Sequence, residues 1–322
     1  MMKKLDVFTF GETMVLFQPE QMLSLEYVHQ FPKRIGGAES NVAIGLSRLG
    51  HSVGWFSKLG DDPFGRYIQK YIRGEDVDTS SCLFTDKAPT GLLFKEQLSP
   101  DDVNVYYYRK GSAASLMGPD DLNEEYIAQA KILHISGITP ALSDSSYQAV
   151  MKAIQIAKKN DMKIVFDPNL RLKLWTVERA REVFNEIADS ADIILPGLDE
   201  GQMMTGETEV EKVAEALMGD TDKTIIIKLG SKGAYVHSKN EKAYVEGFPV
   251  KQIVDPVGAG DGFAAGIISG VLRNEPLQTV VRRANAIGAM VVGTSGDVEG
   301  LPTFKAVEQF MKPAGEARDV KR

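Results

Sequence analysis

Cysteine is almost missing from this chain. Cys82 stands alone, which excludes an intrachain disulfide and a cysteine-rich zinc cluster and fits a reducing compartment. Positive charge is in deficit too. The 37 Lys and Arg against 44 Asp and Glu leave a net charge of -7, which argues against broad attraction to nucleic acid or to an anionic membrane while leaving room for a local basic pocket. Long apolar runs are absent, because Asp6, Gly11 and Glu12 interrupt LDVFTFGETM before it reaches signal-peptide or membrane-spanning length. There is no repeat, no low-complexity tract and no Gly-x-x-x-x-Gly-Lys-Ser/Thr stretch, and Gly258, Gly260 and Gly262 do not keep the spacing of the dinucleotide fingerprint. The expectation is a cytoplasmic protein with neither nucleic-acid nor membrane partners.

What the chain does have is material for a large core: 322 residues, 43% hydrophobic and 25% charged. Short β-branched runs at 5–10, 53–58, 132–136, 163–167, 192–195 and 224–228 alternate with helical patterns at 40–49, 145–159, 177–188 and 210–218, and a helical pair follows over 259–294. That alternation predicts an α/β fold built on a doubly wound, mostly parallel sheet flanked by helices, with ligands at the carboxyl ends of the strands. Residues 12–35 and 88–109 break the rhythm with stretches such as GLLFKEQ and VNVYYYR. They read as antiparallel strands outside the main sheet, forming a small β lid over the site, a dimer surface, or both. The predicted division is a core of 1–11, 36–87 and 110–311, a lid of 12–35 and 88–109, and a frayed tail over 312–322.

The stretch DPVGAGDGFAAG at 255–266 carries the chemistry. Asp255-Pro256 turns the chain, Gly258-Ala259-Gly260 offers backbone with little side chain in the way, and a helix is expected over 263–272. Backbone N–H groups at such a helix start point outward and can receive phosphate oxygens or a developing oxyanion. Asp261 needs a separate task, since a carboxylate beside bound phosphate is repelled. Either it caps the helix, or it takes the proton from an attacking hydroxyl in phosphoryl transfer.

GGAESNVAIGLSRLG at 36–50 and this late Gly-Ala-Gly-Asp turn together resemble the paired signatures of the ribokinase-like (PfkB) carbohydrate kinases, over about residues 5–311. The resemblance implies an ATP-dependent kinase acting on a sugar hydroxyl, with Asp261 as base and an anion hole from the backbone of Gly258, Ala259 and Gly260. It places Gly36, Gly37, Ser40 and Asn41 along the acceptor pocket. Nucleotide contacts are implied for Lys228, Gly230, Ser231 and Gly233 in KLGSKG, and for Asn285 near the adenine. The family's Asn-x-x-Glu element stands here as Gly197-Leu-Asp-Glu200, so Glu200 is expected to reach Mg²⁺ through water with Asp199 sharing the task; alternatively both acids favour the N-terminus of the next helix. Asp255 and the loop 295–300 match a region that holds a monovalent cation in several relatives. Val257 offers only a carbonyl there, and the ion is left unassigned.

For the acceptor, a period of two in VNVYYYRKG puts Tyr107 and Arg109 on one strand face and Tyr106 and Tyr108 on the other. An arginine can grip a carboxylate through two parallel hydrogen bonds, and a tyrosine beside it can pack on carbon while its hydroxyl reaches oxygen. Arg171 in FDPNLR follows the end of a strand, on the ligand side of the sheet. This combination resembles family members whose acceptor is an acidic sugar, and the same resemblance implies a hydroxyl contact from Asp297. The alternatives are surface ion pairing at Arg109, phosphate contact at Arg171 and local turn bonds at Asp297. At the level of function they are a neutral-sugar kinase such as a fructokinase, or a sugar and nucleotide sensor without catalysis. A homo-oligomer through the lid is expected.

Overall fold

The structure, a computed structural model, describes residues 4–99 and 102–312. Of the predicted frayed tail, 313–322 lies outside the described residues. Eight strands form the main sheet, in the spatial order Glu241–Val245, Ala234–Ser238, Thr224–Lys228, Ile193–Ile194, Lys163–Asp167, Ala130–Ser136, Leu5–Phe10 and Val53–Phe56. All neighbours pair in parallel except around the terminal hairpin, where Ala234–Ser238 runs antiparallel to both of its neighbours. The strands alternate sides as a sheet covered on both faces requires: Val165 joins one core layer while Ile164 and Phe166 join the other. Helices Ala38–Arg48, Pro63–Gly74, Ala259–Leu272 and Leu277–Val291 cover the first face, and Asp144–Lys159, Val177–Ser190 and Val210–Met218 cover the second. Among the described residues no helix is long and apolar enough to cross a membrane.

Four further strands form the lid, in the order Lys33–Gly36, Met14–Phe17, Leu92–Ser99 and Asp102–Tyr108. The prediction that the lid is antiparallel throughout is corrected at its centre, where Met14–Phe17 and Leu92–Ser99 pair in parallel because they come from two separate excursions of the chain. The run 53–58 also divides: Val53–Phe56 stays in the main sheet, whereas Lys58–Gly60 pairs with Leu83–Thr85. Helix Pro63–Gly74 was not among the helices named from the sequence, although its buried Ile68 and Ile72 recur at helical spacing. Its start is nevertheless well made, with proline in the first turn and the Asp62 carboxylate accepting the N–H groups of Phe64 and Gly65.

The first helix of the pair expected over 259–294 begins at Ala259 and so takes in the glycine turn that was placed ahead of residue 263. Gly258 adopts a left-handed backbone, φ 83°, so the chain enters the helix directly from the turn and Gly260 and Asp261 fall in its first turn. The helix then packs backbone to backbone on Leu277–Val291: a Cβ at Gly266 would lie 2.8 Å from Ala284 Cα.

Candidate active site

Gly258 cannot be replaced without distortion, because a Cβ there would lie 2.4 Å from the carbonyl oxygen of Asp297. The turn is thereby pressed against the loop carrying Asp297. Among the described residues no protein acceptor takes the N–H of Gly258, Gly260 or Asp261, and that of Ala259 has only Pro256 O at 3.4 Å. These donors, at the positive end of a 14-residue helix, form a cradle suited to an anion.

Asp261 is 8% exposed and lines the cavity in front of this cradle. Its Oδ2 accepts a hydrogen bond from Asn41 Nδ2 at 2.7 Å, and its Oδ1 faces Asn169 Nδ2 at 3.5 Å. Burial pushes the carboxyl up to about 6, against the Asn41 bond that favours its charge. A group poised there is ionised at neutral pH and still basic enough to take a proton. Asn169 reaches it because its backbone is left-handed, φ 45°, immediately after the strand Lys163–Asp167. The same segment ends the strand with Asp167, which pairs with Lys228 Nζ at 2.8 Å. Burial lowers the Lys228 pKa, but the carboxylates of Asp167, Glu200 and Asp261 outweigh it and hold the ammonium above its usual range.

The cavity holding Asp261 has a volume of about 320 Å³, and its lining includes Gly36, Gly37, Asn41, Tyr107, Arg109, Arg171 and Asp297. Ser40 does not line it: its hydroxyl donates to Gly37 O at 3.0 Å and accepts from Thr13 Oγ1 at 2.7 Å, so it braces the turn from behind. Arg109 differs from expectation in its partner. Its Nε donates to Glu12 Oε2 at 2.6 Å, Nη2 contacts the same oxygen, and Ser112 Oγ holds the other oxygen of this fully buried carboxylate. Part of the fork is therefore spent inside the protein. Arg171 meets only its neighbour's carbonyl, Leu170 O at 3.0 Å, and among the described residues no carboxylate pairs with it. Burial, with Asp255, Asp261 and Glu299 nearby, raises Asp297 to about 7, while Lys95 opposes the shift.

A second, largely apolar cavity of about 450 Å³ lies on the other side of the cradle, lined by Gly230, Ser231, Gly233, Phe248, Phe263 and Asn285 among others. Asn285 donates to the carbonyls of Val245 (3.0 Å) and Glu246 (3.1 Å), so its amide nitrogen fixes the wall of this cavity. The two cavities share Lys228, Pro256 and Gly260. Glu200, expected to serve a metal through water, has both oxygens engaged by backbone: Oε1 accepts from Leu170 N and Oε2 from Gly197 N, each at 2.7 Å. The helix-start alternative describes its Gly197 contact, and the Leu170 contact ties it to the loop of Asn169. Asp199 lies exposed beside it in a cleft that also includes Lys228.

Sequence reasoning missed Glu12, Asp167, Asn169 and Lys95. Glu12 lies two residues past the carboxyl end of the first strand, and Asp167 and Asn169 belong to the same DPNLR stretch as Arg171, so position relative to the strand ends could have found all three. Lys95 falls in register with Leu93 on the inward face of a lid strand, where an apolar residue is the rule.

The model for pfkB family carbohydrate kinases matches residues 4–304. The chain is 42% identical to a 2-dehydro-3-deoxygluconokinase of Bacillus subtilis (strain 168) over 96% of each chain. It is 31% identical to a 5-dehydro-2-deoxygluconokinase of Bacillus licheniformis, again over 96% of each. Among solved structures, it resembles a 2-dehydro-3-deoxygluconokinase from Thermotoga maritima with a TM-score of 0.88 and 26% identity, covering 95% of this chain and 98% of that one.

Proposed function

The chain belongs to the pfkB family of carbohydrate kinases, and from that premise we propose that it transfers the γ-phosphoryl group of ATP to the terminal (C6) hydroxyl of 2-keto-3-deoxygluconate, giving 2-keto-3-deoxy-6-phosphogluconate. One observation carries this reading. A polar cavity with a buried carboxylate and an apolar cavity meet at the unpaired amides of a helix N-terminus. ATP fits the apolar side with its terminal phosphate at the cradle, and the acceptor fits the side of Asp261.

In the reaction the hydroxyl oxygen attacks the γ-phosphorus, the bond to the β,γ-bridging oxygen breaks, and ADP leaves. Asp261 takes the hydroxyl proton late, since a loose transition state asks little of the nucleophile. Cradle amides and Lys228 stabilise charge on the moving group. Among the described residues no cluster of three acidic, His or Cys side chains could hold a metal unaided. Mg²⁺, which keeps waters and phosphate oxygens as ligands, would be reached through water by the exposed Asp199, while Glu200 holds the Leu170 and Gly197 N–H groups beside it. When bound, the ion would neutralise phosphate charge.

The acceptor carboxylate is assigned to Arg171 and to the donors of Arg109 that Glu12 leaves free, with Tyr107 packing alongside. The 42% relative acts on an acid of this kind by its name. The reading includes a cytoplasmic location and a homo-oligomer through the outer lid face, where Phe94 stacks on Phe17 at 5.0 Å and Tyr108 is 67% exposed. Sedimentation of wild type against Tyr108→Glu tests that contact.

The activity is tested by ADP release from ATP and Mg²⁺ with 2-keto-3-deoxygluconate, 5-keto-2-deoxygluconate and fructose, and by phosphorus NMR of the product. The expected result is preference for the first acid, with Arg171→Met eroding that preference over fructose by at least tenfold. Equal turnover of fructose would overturn the acceptor assignment, and no ADP with any sugar would overturn the kinase itself.

A further inference from the structure

A lysine on the lid is buried in a place where no carbohydrate contact requires one. Lys95 belongs to the strand Leu92–Ser99, yet its side chain is 2% exposed and its ammonium pairs with the carboxylate of Asp255, itself 1% exposed. Buried charges of this kind are tolerated only when paired. Asp255 opens the turn that becomes the anion cradle. Its Oδ1 accepts the N–H of Val257 at 3.1 Å and its Oδ2 that of Gly296 at 3.3 Å, so a single carboxylate ties the cradle to the loop carrying Asp297. Other lid side chains join the same seam: Gln97 Nε2 donates to Val254 O at 3.4 Å, and Gln18 and Arg34 both donate to Ser295 Oγ.

Without a positive charge at this point, Asp255 would be an uncompensated anion beneath a cradle built to receive another anion. Two anions so placed oppose each other. A small cation drawn from solution would answer that need, and the sequence resemblance left a monovalent ion unassigned in this region. An ammonium fixed to the lid answers it without drawing on solution.

We propose that Lys95 is a positioning residue for phosphoryl transfer, whose ammonium is the resident counter-charge of Asp255, takes the place of a monovalent cation, and couples the docked lid to the shape of the cradle. The proposal rests on the kinase reading for its kinetic consequences but not for the cation-binding ones. Two consequences follow: turnover needs no potassium, and removing the side chain leaves a hole that a small cation fills.

The test compares wild type and Lys95→Ala with potassium, methylammonium or only tetramethylammonium chloride, at constant ionic strength. Wild-type ADP release is expected to be unchanged by potassium. Lys95→Ala is expected to lose on the order of 100-fold in kcat, as misplacement of catalytic groups does, with a much smaller change in KM for ATP, and to regain at least tenfold with potassium or methylammonium. Thermal melting gives a reading independent of turnover: either small cation raises the Tm of Lys95→Ala and leaves wild type unmoved. Where Lys95→Ala does not fold, Lys95→Gln keeps the length without the charge and is expected to fold and lose kcat. Potassium activation of wild type, Lys95→Ala that neither cation rescues or stabilises, or Lys95→Gln with wild-type kcat would each overturn the proposal. Absence of ADP release by wild type with every sugar sinks the kinase reading, and the melting comparison still decides the cation site.

Discussion

Gly258→Ala separates the cradle's geometry from its mere presence. The substitution adds one methyl group and acts twice. A left-handed backbone costs an L-residue roughly 1–2 kcal/mol, and Gly258 sits at φ 83°. The new Cβ would also lie 2.4 Å from Asp297 O, 3.2 Å from Asp297 C and 3.4 Å from its Cα, all backbone atoms that cannot rotate away. Relief requires the turn and the 297 loop to part. A displacement of about 1 Å costs on the order of 100-fold in rate, or about 2.7 kcal/mol of barrier. Gly260→Ala is the control, because its Cβ would meet nothing nearer than Lys228 Nζ at 3.9 Å. That methyl leaves the fold intact, and alanine in a helix gains up to about 1 kcal/mol over glycine, yet it stands at the wall both cavities share. Urea unfolding and steady-state kinetics together give the readout: Gly258→Ala loses stability and turnover, whereas Gly260→Ala loses turnover alone. Wild-type kcat and stability in Gly258→Ala would refute the reasoning.

The pH dependence of kcat/KM has an acid limb near 6, because burial raises Asp261 to about 6 and only its ionised form accepts a proton, so activity falls roughly tenfold per unit below that pH; a profile flat down to about pH 5 would contradict this. Glu39, fully buried with Thr139 donating to it, is raised by burial from 4.5 to about 8. The folded state therefore keeps a proton that the unfolded state releases, so this contribution to stability is complete below about 4.5 and is lost as pH rises toward 8, by at most about 1.4 kcal/mol per unit. Glu39→Gln makes the pH dependence of urea unfolding flatter over that window. Glu12→Ala takes the partner from the half-buried Arg109 and the acceptor from the buried Ser112 hydroxyl, and lowers stability by about 1–3 kcal/mol in the same assay.

Strand positions were legible where one periodicity dominated, as at 5–10 and 224–228, which match their strands to the residue. Local chemistry sets where helices start. The left-handed Gly258 lets the glycine turn pass straight into the helix at Ala259, where the helical pair was expected to begin, and the Asp62 cap with Pro63 starts a helix that the sequence reading did not name. Within the site, the residues carried by the two signature stretches meet at one cavity, apart from Ser40, whose hydroxyl is consumed locally, and Ala259, which lines the neighbouring apolar cavity. Partners could not be read in the same way. Arg109 with Glu12, Lys95 with Asp255 and Lys228 with Asp167 join positions 97, 160 and 61 residues apart, and nothing in a single sequence encodes such pairings except position at a strand end or on a strand face.

The most direct measurement is Asp261→Asn, with ADP release and nucleotide affinity followed on the same preparation. Asn removes the proton acceptor while keeping the shape and the helix start, so turnover should fall by at least about 100-fold, the lower range for losing a general base, with ATP affinity within a few-fold of wild type. Undiminished turnover would contradict the account at its centre.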